Sequence, residues 1–145
     1  MNKINYNNLT KEISELILDK KGVEIEIINV SKLTSLTDYF IMCTSDSDPK
    51  TKALANHIID SINKKYNIKP MHSEGIENLD WVLLDYINIV VNIFKKEKRD
   101  YYNIERLWGD AKITKIKESF VTDSNCKNHS SPIDSIFILK PLLSI

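Results

Sequence analysis

Long hydrophobic runs are absent from this sequence. No stretch of about 18 apolar residues occurs, so the sequence predicts no transmembrane helix. The first twenty residues carry Glu12, Glu15 and Asp19 and match neither a secretory signal nor an Arg-rich transit peptide. We therefore expect a cytoplasmic protein that has no membrane partner.

The formal net charge is zero, and glycine and cysteine are scarce. Lys plus Arg and Asp plus Glu number 20 each, which argues against a nucleic-acid coat because such proteins are basic. The three glycines form no loop of the kind that cradles a phosphate. Of the two cysteines, Cys43 lies in an apolar run and Cys126 in a polar one. Two reduced thiols in the cytosol are a simpler interpretation than a disulfide.

Hydrophobic periodicity predicts alternating helices and strands in the first half. Apolar residues at helical spacing over residues 8–20 predict a helix that Gly22 ends. Residues 23–27 alternate with period two, as in a strand, and residues 39–43 form a continuous apolar strand. Asp48 followed by Pro49 predicts the cap and first position of a second helix, which should reach about Tyr66.

Three further strands and a helix are predicted in the second half. The strands cover residues 69–73, 81–86 and 89–94, and the last two form a hairpin that turns near residues 87–88. Asp100 should cap a short helix that Gly109 ends. The expected fold is α/β, with one mixed sheet of about five strands flanked by helices in the order α-β-β-α-β-β-β-α. We assign residues 1–111 to this domain and residues 112–145 to a C-terminal extension, either docked or loose.

Side chains that could carry chemistry have simpler interpretations. Asp46 and Asp48 could hold Mg²⁺ in a nucleotidyltransferase-like enzyme, but a cap of the following helix explains Asp48 better. His57, His72 and His129 lack the spacing of a zinc site. We therefore predict no catalytic residue, metal or cofactor, and keep the metal-dependent enzyme as an alternative.

A basic run and an aromatic cluster remain. Residues 95–99 read Lys-Lys-Glu-Lys-Arg, which favours a solvated loop over a contact with phosphate or an acidic partner. Five Trp and Tyr residues lie within the 28 residues 81–108: Trp81, Tyr86, Tyr101, Tyr102 and Trp108. Trp and Tyr are enriched at protein interfaces, although a core position is equally natural for Trp108 and remains open for Trp81 and Tyr86.

Three blocks of sequence resemble a known family in order and spacing. They read SLTDYFIMC at residues 35–43, WVLLDY at 81–86 and EKRDYYNIERLWGDA at 97–111, with Glu74-Gly75 ahead of the tryptophan. Over about residues 9–111 the chain resembles the ribosomal silencing factor family (RsfS, or Iojap-like). Four places depart from the family's pattern: Ile87-Asn88 replaces a Gly-Asp turn, Asn92 a histidine, Ser45 a glycine and Pro49 an arginine. We expect Asn88 to supply a positive φ at the turn.

The resemblance implies a function without catalysis. Members look like a catalytically silent relative of the nucleotidyltransferase fold. They bind universal large-subunit protein fourteen on the large ribosomal subunit, block subunit association and repress translation. A contact with neighbouring ribosomal RNA and a homodimer in the free state are also implied. The alternatives are a late large-subunit assembly factor and a homodimeric scaffold without a ribosomal role.

The partner-binding residues follow from the aromatic blocks. An aromatic centre edged by charges is what a protein interface requires. We predict that the partner is bound by Trp81, Asp85, Tyr86, Tyr102, Glu105 and Trp108.

Overall fold

The computed structural model describes residues 4–116, which form four helices and six strands. In chain order they are α1 (Tyr6–Asp19), β1 (Val23–Asn29), β2 (Tyr39–Ser45), α2 (Asp48–Tyr66), β3 (His72–Glu74), β4 (Trp81–Asp85), β5 (Ile89–Lys95), α3 (Lys96–Tyr102), α4 (Ile104–Leu107) and β6 (Lys112–Ile116). The predicted α/β class and the order of the predicted elements are confirmed.

One mixed sheet joins all six strands in the order β3-β4-β5-β2-β1-β6. Strands β2 and β5 are parallel and the other neighbouring pairs are antiparallel. The sixth strand was not predicted: β6 pairs with β1 from Ile25 opposite Ile116 to Asn29 opposite Lys112. Its sequence, Lys-Ile-Thr-Lys-Ile, has the charged character of an edge strand and a weak alternation. The remainder of the predicted extension, residues 117–145, lies outside the described residues.

Helices cover both faces of the sheet. On one face, α1 and α2 contribute Leu9, Ile13, Ile17, Leu54 and Ile58 to the larger core. Their apolar residues recur at helical spacing, so each helix packs one stripe onto the strands. The opposite face carries a smaller core, built from strand residues such as Phe40, Met42 and Phe94 and closed by Ile104 and Trp108. Side chains on one face of a strand therefore pack against α1 and α2, and those on the other face pack against the segment around α4.

The end of α1 explains Gly22. Lys21 takes the left-handed conformation (φ 66°) and donates its N–H to Leu18 O at 3.0 Å, while Gly22 N donates to Ile17 O at 3.0 Å. These two bonds form a Schellman motif. The helix stop is therefore confirmed in place, but Lys21 adopts the positive φ. Gly22 lets the chain approach the helix, since a Cβ there would lie 2.4 Å from Ile17 Cγ2.

The prediction that Asp48 caps α2 is wrong by one residue. Ser47 is the cap, and its hydroxyl oxygen accepts the N–H of Lys50 at 3.3 Å. Asp48 is the first helical residue, where the positive end of the helix dipole stabilises its carboxylate. Its carboxylate pairs with Lys95, and Asp46 pairs with Lys50 at 3.4 Å.

The segment that follows β5 differs most from prediction. Residues 96–99, predicted as a solvated loop, belong to α3, and Asp100 lies inside this helix and does not cap it. Asn103 interrupts the helical run with φ 46°, and α4 begins directly after it. The sequence predicts one helix here because Tyr101, Ile104, Leu107 and Trp108 keep helical spacing across Asn103, and the pattern does not reveal its left-handed backbone.

The predicted hairpin between β4 and β5 is confirmed, but its turn is built differently. Ile87, not Asn88, has the positive φ, at 74°. Asn88 N donates to Tyr86 O at 2.9 Å, and Asp85 Oδ1 accepts the N–H of Ile87 at 2.7 Å. The Asn88 side chain instead donates to Asp38 Oδ2 at 3.1 Å, so the turn is tied to the chain entering β2.

Candidate functional site

Trp81, at the start of β4, is held in place from three directions. Its ring stacks on Phe94 with centroids 4.6 Å apart, and the ring of Tyr102 lies against it at 4.7 Å with a 48° tilt. Its indole N–H donates to Asn92 Oδ1 at 2.9 Å. Because the hydrogen bond and both ring contacts fix the indole, Trp81 presents an ordered, half-buried aromatic surface.

Strand alternation divides the other predicted residues between the two faces of β4. Tyr86, just past its end, joins Val82 and Leu84 in the core beneath α1 and α2 and is only 6% exposed. Burial raises the pKa of the Tyr86 hydroxyl to about 12. Asp85 is half-buried and lies on the same face as Trp81, four residues or about 13 Å along the strand.

The two remaining predicted residues near α4 are engaged within the protein. Trp108 is 3% exposed and packs against Phe40 with ring centroids 5.3 Å apart. The Glu105 carboxylate accepts the Nε–H of Arg99 at 2.8 Å. Tyr102, by contrast, is 41% exposed. Of the six predicted residues, Trp81, Tyr102 and Asp85 therefore share one accessible face.

A shallow groove surrounds the two exposed rings, and we call it the aromatic groove. It is lined by Glu74, Gly75, Asn78, Asp80, Trp81, Leu83, Lys98 and Tyr102. Glu74 and Asp80 line it with carboxylates and Lys98 with an ammonium group, and Lys95 Nζ lies 3.7 Å from Asp80 Oδ1. Asp85 lies on the same face of β4 but at the other end of the strand, outside the groove. The groove is thus an aromatic centre edged by charges of both signs.

Gly75 shapes one wall of this groove. It has φ 80°, a conformation that side-chain-bearing residues rarely adopt, and a Cβ there would lie 1.9 Å from Trp81 O. Only glycine lets the loop pass this close to the backbone of Trp81. The sequence singled out Gly75 as part of the resemblance, but the reason for a glycine needed the structure.

Two other residues of the site were missed by sequence reasoning. Asn92 was noted only as a departure, yet it accepts the indole N–H of Trp81 and is itself buried. Asn92 lies on β5 directly opposite Leu83, which is two residues after Trp81 on β4. In the predicted hairpin this register makes Asn92 a diagonal neighbour of Trp81, so the contact could have been predicted. Arg99 was assigned to a solvated loop but is buried, and no pattern within residues 95–99 indicates this.

The features proposed for alternative chemistry are dispersed. Within residues 4–116 no three His, Cys, Asp or Glu side chains cluster as metal ligands. Asp46 and Asp48 pair with separate lysines, and His57 lies 3.4 Å from Asp19. Burial raises the pKa of Cys43 to about 12, whereas Cys126 and His129 lie outside the described residues. No helix in this part of the chain is long and apolar enough to cross a membrane.

The fold and the aromatic groove define a class: a small mixed-sheet α/β protein that presents an aromatic surface, edged by charges of both signs, at one end of its strands. The model of the family described as "Ribosomal silencing factor during starvation" matches residues 3–135. The chain belongs to this family, whose members silence ribosomes and are not enzymes.

Individual relatives agree with this assignment. The chain is 32% identical over 113 residues to the ribosomal silencing factor of Bacillus subtilis, covering 78% of this chain and 95% of that protein. It is 42% identical over 106 residues to that of Chromobacterium violaceum, covering 70% and 86%. A crystal structure of a C. violaceum protein superposes with a TM-score of 0.70 at 36% identity, covering 84% of this chain and 97% of that one.

Proposed function

We propose that the protein binds the large ribosomal subunit through universal large-subunit protein fourteen and sterically blocks association with the small subunit. Translation is repressed because the two subunits cannot join. The observation that carries this proposal is the aromatic groove, in which the ring of Tyr102 packs against Trp81 and the Trp81 indole is hydrogen-bonded to Asn92. Family membership supplies the ribosome as the target.

The groove has the composition of a protein interface. Tyr and Trp in a central position provide most of the binding free energy in many complexes, while surrounding polar groups exclude water. Preordered rings lose little conformational entropy on binding, which favours affinity. Glu74 and Asp80 at its edge would pair with basic groups of a ribosomal protein, and Lys98 would pair with an acidic one, so the charges favour one orientation of the partner.

Bulk is sufficient for the blocking step. A folded body the size of residues 4–116 has a radius of gyration of about 13 Å. A body of this size on the joining face of the large subunit separates the two subunits by far more than contact distance. No reaction is needed, so the effect should depend on occupancy alone.

Co-sedimentation with purified large subunits tests the binding surface. Tyr102→Ala removes an exposed ring, and we expect affinity to fall about 30-fold, which corresponds to a hot-spot loss of about 2 kcal/mol. Leu33→Ala is the matched control, since Leu33 is 45% exposed against 41% for Tyr102 and lies in the loop at the other end of the strands. Equal affinities of the two variants would remove the groove from the interface.

A direct partner assay tests the finer claim. The full chain should bind isolated universal large-subunit protein fourteen, and Tyr102→Ala should weaken that complex by a similar factor. Binding to whole large subunits without binding to the isolated protein would point to another ribosomal contact, such as neighbouring RNA. In that case the affinity should fall steeply with added salt.

We also propose that the free protein is a cytoplasmic homodimer, as the resemblance implies. Sedimentation equilibrium of the full chain should then give twice the monomer mass of 16.8 kDa. A monomer at all concentrations would contradict the dimer and leave the ribosomal proposal intact.

A further inference from the structure

Arg99 is a buried charge that joins four elements of the fold. It is 6% exposed, and it is the buried residue among the seven of α3. A short helix normally docks through an apolar stripe, because isolated helices of this length are not stable in water. Here α3 lacks such a stripe, and the guanidinium group is its buried attachment to the sheet, beside the exposed pair of Lys96 with Glu24.

The contacts of the guanidinium group reach two strands and the next helix. Nη1 donates to the backbone carbonyl of Glu24 at 2.6 Å and to Thr44 Oγ1 at 2.8 Å. Nε and Nη2 both donate to Glu105 Oε2. Nη2 also lies 3.6 Å from Glu26 Oε1. Strands β1 and β2 and helix α4 are thereby fixed to α3 through one side chain.

Tyr102 lies one helical turn after Arg99, at the end of α3. The chain reverses at Asn103, whose N–H donates to Arg99 O at 2.8 Å, before α4 places Glu105 back on Arg99. The position of the Tyr102 ring over Trp81 therefore depends on how α3 and α4 sit on the sheet. No hydrogen bond of Tyr102 itself holds the ring there among the bonds of the described residues.

We propose that Arg99 is a positioning residue: it sets the docking of α3 so that Tyr102 stays against Trp81 in the aromatic groove. This inference rests on the proposed function, because it assigns Arg99 a role in partner binding that it performs without touching the partner. A buried guanidinium is suited to the task, since its planar fork of five donors can bond several acceptors in fixed directions. A lysine at the same place retains the charge but has three donors on one atom.

A double-mutant cycle in the full chain separates positioning from a general structural role. Arg99→Lys, Tyr102→Ala and the combined variant are compared for affinity to large subunits. If Arg99 acts through Tyr102, Arg99→Lys lowers affinity about tenfold and the second change then adds little. Additive losses, or unchanged affinity in folded Arg99→Lys, would overturn the proposal. Arg106→Lys is the matched control, because Arg106 is an exposed arginine of α4 and should retain wild-type affinity.

An NMR readout keeps this test independent of the ribosome. Nuclear Overhauser contacts between the rings of Trp81 and Tyr102 should be strong in the wild type and in Arg106→Lys and lost in Arg99→Lys. If the wild type does not bind large subunits but these contacts behave as described, the proposed function fails and the positioning role stands. Intact ring contacts in Arg99→Lys would refute the positioning role.

A second variant covers the case in which Arg99→Lys does not fold. Glu105→Gln removes the charged partner of Arg99 but keeps an oxygen acceptor, so the perturbation is milder. The same ring contacts should weaken in Glu105→Gln. Wild-type contact intensities in that variant would contradict the role assigned to the Arg99 network.

Discussion

Replacing Gly75 by alanine should destabilise the fold and distort the aromatic groove at the same time. Gly75 has φ 80°, where an L-residue pays about 1–2 kcal/mol. The new Cβ would also lie 1.9 Å from Trp81 O and 2.9 Å from Trp81 C, so the backbone must move. Overpacking of this kind costs about 1–3 kcal/mol. Together the two effects predict a loss of about 2–5 kcal/mol in the free energy of unfolding.

Gly22→Ala provides the comparison. A Cβ there would lie 2.4 Å from Ile17 Cγ2, which is a side-chain methyl group, and Gly22 lacks the positive φ. Only the overpacking cost applies, and Ile17 can shift to reduce it, so we expect about 1–3 kcal/mol. Urea denaturation followed by tryptophan fluorescence measures both variants.

The two variants should also differ in function. Gly75→Ala moves the backbone of Trp81 and should lower affinity for large subunits under conditions in which the variant is folded. Gly22→Ala acts under α1, on the opposite face of the sheet, and should leave affinity unchanged. A smaller stability loss for Gly75→Ala than for Gly22→Ala, or unchanged binding by folded Gly75→Ala, would contradict the role given to Gly75.

Three further predictions concern single side chains. Burial, followed by repulsion from Glu105, raises the pKa of Glu26 above its usual 4.5, so the folded state disfavours the charged form above that value. Glu26→Gln should therefore raise the free energy of unfolding near neutral pH, and this gain should disappear as the pH falls below about 4.5. Urea denaturation across that pH range measures the gain. A lower free energy of unfolding for Glu26→Gln at neutral pH would contradict the prediction. Ile87→Gly should raise the free energy of unfolding by about 1 kcal/mol, because a β-branched residue is strained at φ 74° and Ile87 is exposed; a lower denaturation midpoint would count against strain at the turn. Asn92→Leu should free the indole of Trp81 and weaken large-subunit binding, and an unchanged indole N–H resonance would show that the hydrogen bond to Asn92 is unimportant.

Local patterns predicted most of the secondary structure because the strongest elements carry their own signal. The apolar run of β2 and the closely spaced strands β4 and β5 need no distant contact to be recognised. Strand alternation could even have placed Tyr86 in the core, since it shares a face with Val82 and Leu84. Residue type alone, which favours Tyr at interfaces, left that choice open.

Burial of polar groups could not be predicted in this way. Arg99 bonds Thr44 and the carbonyl of Glu24, which are 55 and 75 residues away in the chain. A basic run looks solvated until those acceptors are placed around it. The same limit applies to β6, whose sequence favours a strand only once the free edge of β1 is available to pair with it.

Subunit joining is the step that the protein is proposed to block, and it can be measured with purified components. Purified large and small subunits are mixed with increasing amounts of the full chain, and joined ribosomes are measured by light scattering. Wild-type protein should reduce joining to a plateau set by occupancy of the large subunit. A folded variant with Trp81→Ala and Tyr102→Ala should restore it. Undiminished joining at saturating wild-type protein, or equal inhibition by that variant, would contradict silencing through the aromatic groove.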